Sequence, residues 1–76
     1  MIWRDVLSIR AEADPFVTMR VSSLIAVDNT IPASLTVADL RTGEMEIVVE
    51  LRGLPEHKAG YLAKKIASSI PTVLSV

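Results

Sequence analysis

A change of hydrophobic period between two adjacent segments constrains this chain more than any other feature. Residues 44–51 read Glu-Met-Glu-Ile-Val-Val-Glu-Leu, with every odd position apolar and Glu44, Glu46 and Glu50 on the even ones. Side chains alternate faces along a strand, so this segment is a strand with one dry face and one wet face. From residue 55 to 70 the period lengthens. Ala59, Leu62, Ala63, Ile66, Ala67 and Ile70 stand at i, i+3, i+4, i+7, i+8 and i+11, the stripe of an amphipathic helix. A half-dry strand followed directly by such a helix means a helix laid over one face of a sheet.

The remaining elements fall around this pair. Residues 2–12 read as a first strand, with Trp3, Leu7, Ile9 and Ala11 on one face and Arg4, Val6, Ser8 and Arg10 on the other. Asp14 is suited to cap a helix and Pro15 to open it. The helix over 15–27 puts Val17, Val21, Leu24, Ile25 and Asp28 on one stripe, and Asn29 suits the left-handed position that ends it. Its valines lower intrinsic helix propensity, so packing must hold it. A second strand spans 33–40, with Leu35 and Val37 facing one way and Thr36, Ala38 and Leu40 the other. Arg41-Thr42-Gly43 turns the chain into the third strand. Gly53-Leu54-Pro55 leads into the second helix, Pro71 closes it, and 73–76 begin a fourth strand.

The order β-α-β-β-α-β predicts an α+β, ferredoxin-like sandwich: one four-stranded antiparallel sheet with both helices on one face, a single domain over 1–76. The open face carries Arg4, Val6, Ser8, Arg10, Glu44, Glu46, Val48 and Glu50, whose Arg and Glu rows are placed to pair across strands.

Composition narrows the function classes. A chain of 76 residues buries only about 60% of its unfolded surface. Yet half of it is hydrophobic and mean hydropathy is +0.41. Part of that apolar surface is expected to meet a partner, a second copy first of all. Net charge is −1 with no basic run, and there are one Trp, one Tyr and one Phe, which argues against nucleic acid. No apolar run approaches ~18 residues, so no membrane helix is expected. The early Arg4 and Asp5 do not fit a signal peptide, and the cytoplasm is the default location.

Candidate chemistry is sparse, and neither catalysis nor a cofactor is expected. Without a cysteine or a second histidine, His57 lacks the partners for a metal site and reads as a solvated residue. Evenly spaced Glu44, Glu46 and Glu50 read as a solvated strand face. Ser22-Ser23 and Ser68-Ser69 lie outside any nucleophile motif. Gly43, Gly53 and Gly60 are isolated and build no phosphate loop. The turn Asp14-Pro15-Phe16-Val17 has the best claim to a function. A helix N-terminus offers unpaired N–H groups and a partial positive charge to a carboxylate. The alternative there is a plain capped helix start.

The segment Ala13-Asp14-Pro15-Phe16-Val17-Thr18-Met19-Arg20-Val21-Ser22-Ser23-Leu24-Ile25, the strand Ile31 to Ala38, and the closing Val73-Leu74-Ser75-Val76 resemble the ACT domain family, the ligand-sensing modules of amino-acid metabolism. The likeness covers residues ~3–76 and is nearest to the short regulatory subunits of acetolactate synthase. It implies a non-catalytic subunit that dimerises and activates a large thiamine-diphosphate-dependent catalytic subunit in branched-chain amino-acid synthesis. A free-standing module that senses a small amino acid at a dimer interface is the alternative. The resemblance implies ligand contacts at Ala13, Asp14, Pro15, Phe16 and Val17, and a dimer edge at Ile31, Pro32, Ala33 and Leu35. Phe16 stands where ligand-binding members carry Gly. A ring there would fill the ligand space, as expected of the feedback-insensitive subtype.

Overall fold

A computed structural model of the protein describes residues 4–76. The expected strand start at Ile2 and Trp3 lies outside the described residues. The elements are β1 (Arg4–Glu12), α1 (Pro15–Val27), β2 (Ser34–Asp39), β3 (Glu44–Arg52), α2 (Glu56–Ser69) and β4 (Val73–Ser75). The strands form one antiparallel sheet in the order β2-β3-β1-β4. The predicted βαββαβ sandwich is therefore the observed fold, with element ends shifted by one or two residues.

The alternation in β3 sets the layers. Met45, Ile47, Val49 and Leu51 are buried, and the Glu side chains between them are half-exposed. β1 pairs with β3 so that Leu7, Ile9 and Ala11 fall on the same dry face. Val17, Val21 and Ile25 of α1, Leu62 and Ile66 of α2 and Ile70 just beyond it close the core over it. No polar or charged residue is buried among the described residues. Fully burying one such aliphatic side chain is worth about 1.5–3 kcal/mol.

Local signals resolve as their chemistry requires. Asp14 is extended, and its Oδ1 accepts from Phe16 N at 2.9 Å. Asn29 takes φ +58°, and Thr30 N donates to Ile25 O while Asn29 N donates to Ala26 O. That pair of bonds is a Schellman ending, in which a left-handed residue lets two later amides satisfy the last carbonyls of the helix. In the β2–β3 turn Arg41 and Gly43 both have positive φ, and Asp39 Oδ1 accepts from Arg41 N at 2.9 Å.

Several expectations are corrected. Ala67, at the margin of the α2 stripe, is exposed. Val37 is 48% exposed although Leu35, two residues earlier on the same face, packs against the core. The cause is position: β2 is an edge strand, and Val37 lies beyond the helix layer's cover. Asp28, the one polar residue of the α1 stripe, is half-buried and pairs with α2, its Oδ2 lying 3.0 Å from Lys58 Nζ. On the open face Arg10 meets Glu44 and Glu46 at 3.6 and 3.4 Å, as the alternating charges predict.

Candidate functional site

The turn between β1 and α1 is held by the hairpin opposite it. Antiparallel pairing sets Glu12 of β1 against Glu44 of β3, so the chain leaving β1 runs beside the β2–β3 turn. Ala13 N donates to Gly43 O at 2.9 Å, and Asp14 N approaches Met45 Sδ at 3.5 Å. Between these segments lies an open pocket of 190 Å³ lined by Ala13, Asp14, Pro15, Val37, Asp39 and Met45.

Three of the five candidate ligand residues, Ala13, Asp14 and Pro15, therefore share one concavity. The other two do not line it. Val17 is buried in the core, and Phe16 is 62% exposed. The Phe16 ring thus does not fill this space, because one residue along a helix rotates the side chain by about 100°. With Val17 facing the sheet, Phe16 must face outward. The stripe Val17, Val21, Leu24 and Ile25 already carried that signal.

Val37, Asp39 and Met45 were missed as site residues. Their signal was topological, since the end of β1 and the start of β3 must meet in an antiparallel pair.

The helix N-terminus is less available to an anion than its sequence suggested. The Phe16 amide already donates to the Asp14 carboxylate, and Val17 N donates to Asp14 O at 3.0 Å. An incoming carboxylate would meet a carboxylate here. The pocket's exposed lining is almost wholly apolar, while the Asp14 and Asp39 carboxylates accept from the Phe16 and Arg41 amides. Such a site suits an alkyl group.

The candidate edge lies alongside. β2 is the outermost strand on this side of the sheet and pairs with β3. Leu35 packs against the core margin, Pro32 is half-buried, Ala33 is exposed, and Ile31 is 90% exposed. Ala33 N donates inward to Glu50 O at 2.7 Å.

Among the described residues, no group of three His, Cys, Asp or Glu could hold a metal ion, and His57 is exposed on α2. No helix there is long and apolar enough to cross a membrane.

No curated protein matches the chain. Solved structures similar in fold include two of the ACT domain from GTP pyrophosphokinase of Chlorobium tepidum. The solution structure has a TM-score of 0.79 at 14% identity and covers 97% of this chain and 82% of its own. The crystal structure has a TM-score of 0.79 at 13% identity and covers 99% and 95%. A family model described as an ACT-like domain matches residues 4–76. With that match running from the first strand to the last residue, over a βαββαβ fold, the chain belongs to the ACT-like domain family, whose members are regulatory and ligand-binding modules.

Proposed function

We propose that this domain is a non-catalytic regulatory module that pairs edge to edge through β2 and takes a small aliphatic amino acid at the β1–α1 turn. The observation that carries the reading is the pocket's position. Its lining runs from the turn Ala13, Asp14 and Pro15 to Val37 and Asp39 of the edge strand. A second copy added along β2 would extend the antiparallel sheet by main-chain hydrogen bonds. Ile31, Pro32, Ala33 and Leu35 would lie at that junction, and the copy would close the open side of the pocket. The apolar lining suits an alkyl side chain.

A second reading keeps the dimer and removes the effector. The chain would then act like the small subunit of acetolactate synthase, activating a large thiamine-diphosphate-dependent subunit. It is favoured by the likeness of residues 13–25 and 73–76 to the short small subunits of that enzyme, not by any blocking of the pocket by Phe16, whose ring lies outside it.

Light scattering and thermal melting with valine, leucine and isoleucine separate the two. A ligand at 100 times its Kd adds about 2.7 kcal/mol, which moves Tm of so small a domain by roughly 15 °C. A dimer whose Tm rises with one of them supports the sensor. A dimer indifferent to all three favours the activating subunit, and a pull-down of the catalytic partner follows. A strict monomer at micromolar concentration with no thermal response removes both.

A further inference from the structure

The seam between the two helices is finished differently at its two ends. Asp28 follows the last residue of α1 and Lys58 lies in the first turn of α2, and the two pair at 3.0 Å. At the other end Arg20 of α1 lies beside Ser69, the last residue of α2. Among the described residues no carboxylate pairs with its guanidinium, whereas Arg10 and Arg52 of the sheet each meet a glutamate. An open groove of 240 Å³ lies here, lined by Arg20, Ser23, Leu24, Ser69 and Ile70. Its floor is apolar, with Ile70 buried and Leu24 packed against the core. Its rim carries the guanidinium and two hydroxyls, all on exposed residues. Among the described residues neither hydroxyl is engaged in a hydrogen bond, whereas the adjacent Ser68 donates to Lys65 O at 3.2 Å.

We infer that this groove binds a small aliphatic carboxylate. The site is separate from the pocket at the β1–α1 turn, with which it shares no residue. Arg20 presents a planar fork that takes both oxygens of a carboxylate. Ser23 and Ser69 carry O–H groups that donate to the same oxygens, and Leu24 and Ile70 receive the alkyl chain. The surrounding charge has the matching sign. α1 contains no acidic residue, and α2 contains one, Glu56, at its opposite end. Lys64 and Lys65 stand about one turn before Ser69. A surface of one sign concentrates the opposite ion. The groove is smaller than the ~300–1,000 Å³ of sites for drug-sized ligands, so its ligand is short. The end of α2 also sets the ligand's charge. The last carbonyls of a helix carry a partial negative charge, which opposes a phosphate dianion more than a single carboxylate. The apolar floor likewise favours an anion with a hydrocarbon tail over inorganic phosphate.

Butyrate is the probe, titrated at fixed ionic strength into the isotope-labelled full chain and followed by NMR. The amide resonances of Arg20, Ser23, Leu24, Ser69 and Ile70 are expected to shift along one saturating curve. A ligand of about six non-hydrogen atoms at an open groove should give a Kd of about 1 mM. Arg20 is exposed, so Arg20→Gln should fold normally by circular dichroism and weaken binding about tenfold. Arg41→Gln, in the β2–β3 turn, should leave the affinity unchanged. Butyramide keeps the alkyl chain without the charge, and inorganic phosphate keeps a charge without the chain. Each is expected to bind about tenfold more weakly than butyrate. The proposal is overturned by the absence of saturable shifts at the groove, or by shifts gathered at Ala13 to Pro15 instead. It is equally overturned if Arg20→Gln binds like the original chain, or if butyramide or phosphate binds as tightly as butyrate. Loss of the amino-acid sensor reading leaves this readout intact, since the two sites have no lining residue in common.

Discussion

The two helices lie on one sheet and treat their exposed sides in opposite ways. α2 buries Ala59, Leu62 and Ile66, and its outer side is a row of lysines around Tyr61. The ammonium groups of Lys58 and Lys65 each lie 5.8 Å from the Tyr61 ring centroid. α1 buries Val17, Val21 and Ile25 and leaves Phe16, Met19 and Val27 facing out. Their ends differ too. α1 has a side-chain cap at Asp14 and a Schellman ending at Asn29, whereas Pro55 gives α2 no side-chain cap. The helix richer in β-branched residues thus carries the better ends, and local bonds offset its weaker propensity. The contrast teaches that two helices on one sheet can share an apolar inner stripe while one turns charged and the other apolar side chains outward.

The inner faces should be the point where this contrast disappears. Ile25→Ala and Ile66→Ala each remove a fully buried side chain and are expected to cost about 2–5 kcal/mol. Urea unfolding midpoints check this. A loss below 1 kcal/mol at Ile25 alone would show that α1 is peripheral to the core, and the comparison would fail.

The ends come next. Asp14→Ala removes the acceptor of the 2.9 Å bond from Phe16 N and is expected to cost about 0.5–2 kcal/mol. The same denaturation series reads it. An unchanged midpoint would mean that the cap does not compensate for the valines of α1.

The smallest effect has the opposite sign. Gly60 lies within α2, and a Cβ there would meet nothing within 4 Å. Gly60→Ala should therefore stabilise the domain by about 0.5–1 kcal/mol. A destabilised variant would reveal close packing against α2 that the structure does not contain.

Much of this was readable before any coordinates, and particular residues show why. Asp14, Asn29 and the turn at 41–43 act through bonds to residues a few positions away, so their sequence context is nearly their whole environment. The site was read in part. Ala13, Asp14 and Pro15 were found because they mark a helix start. Val37, Asp39 and Met45 were not, because each belongs to a strand whose place beside that start depends on pairing.

By itself the sequence determined the element order, the dry face of β3, the inner stripes of both helices and the presence of an edge rich in apolar residues. Periodicity and turn chemistry are short-range, and they act through neighbours along the chain. The tertiary structure alone decided the order β2-β3-β1-β4, the exposure of Val37 and the joining of the β1–α1 turn to Met45. It also brought Val37 and Asp39 of the edge strand to the helix start. Those outcomes depend on where the sheet ends and on how α1 is rotated against it. Both are settled only when residues distant in sequence pack into one core.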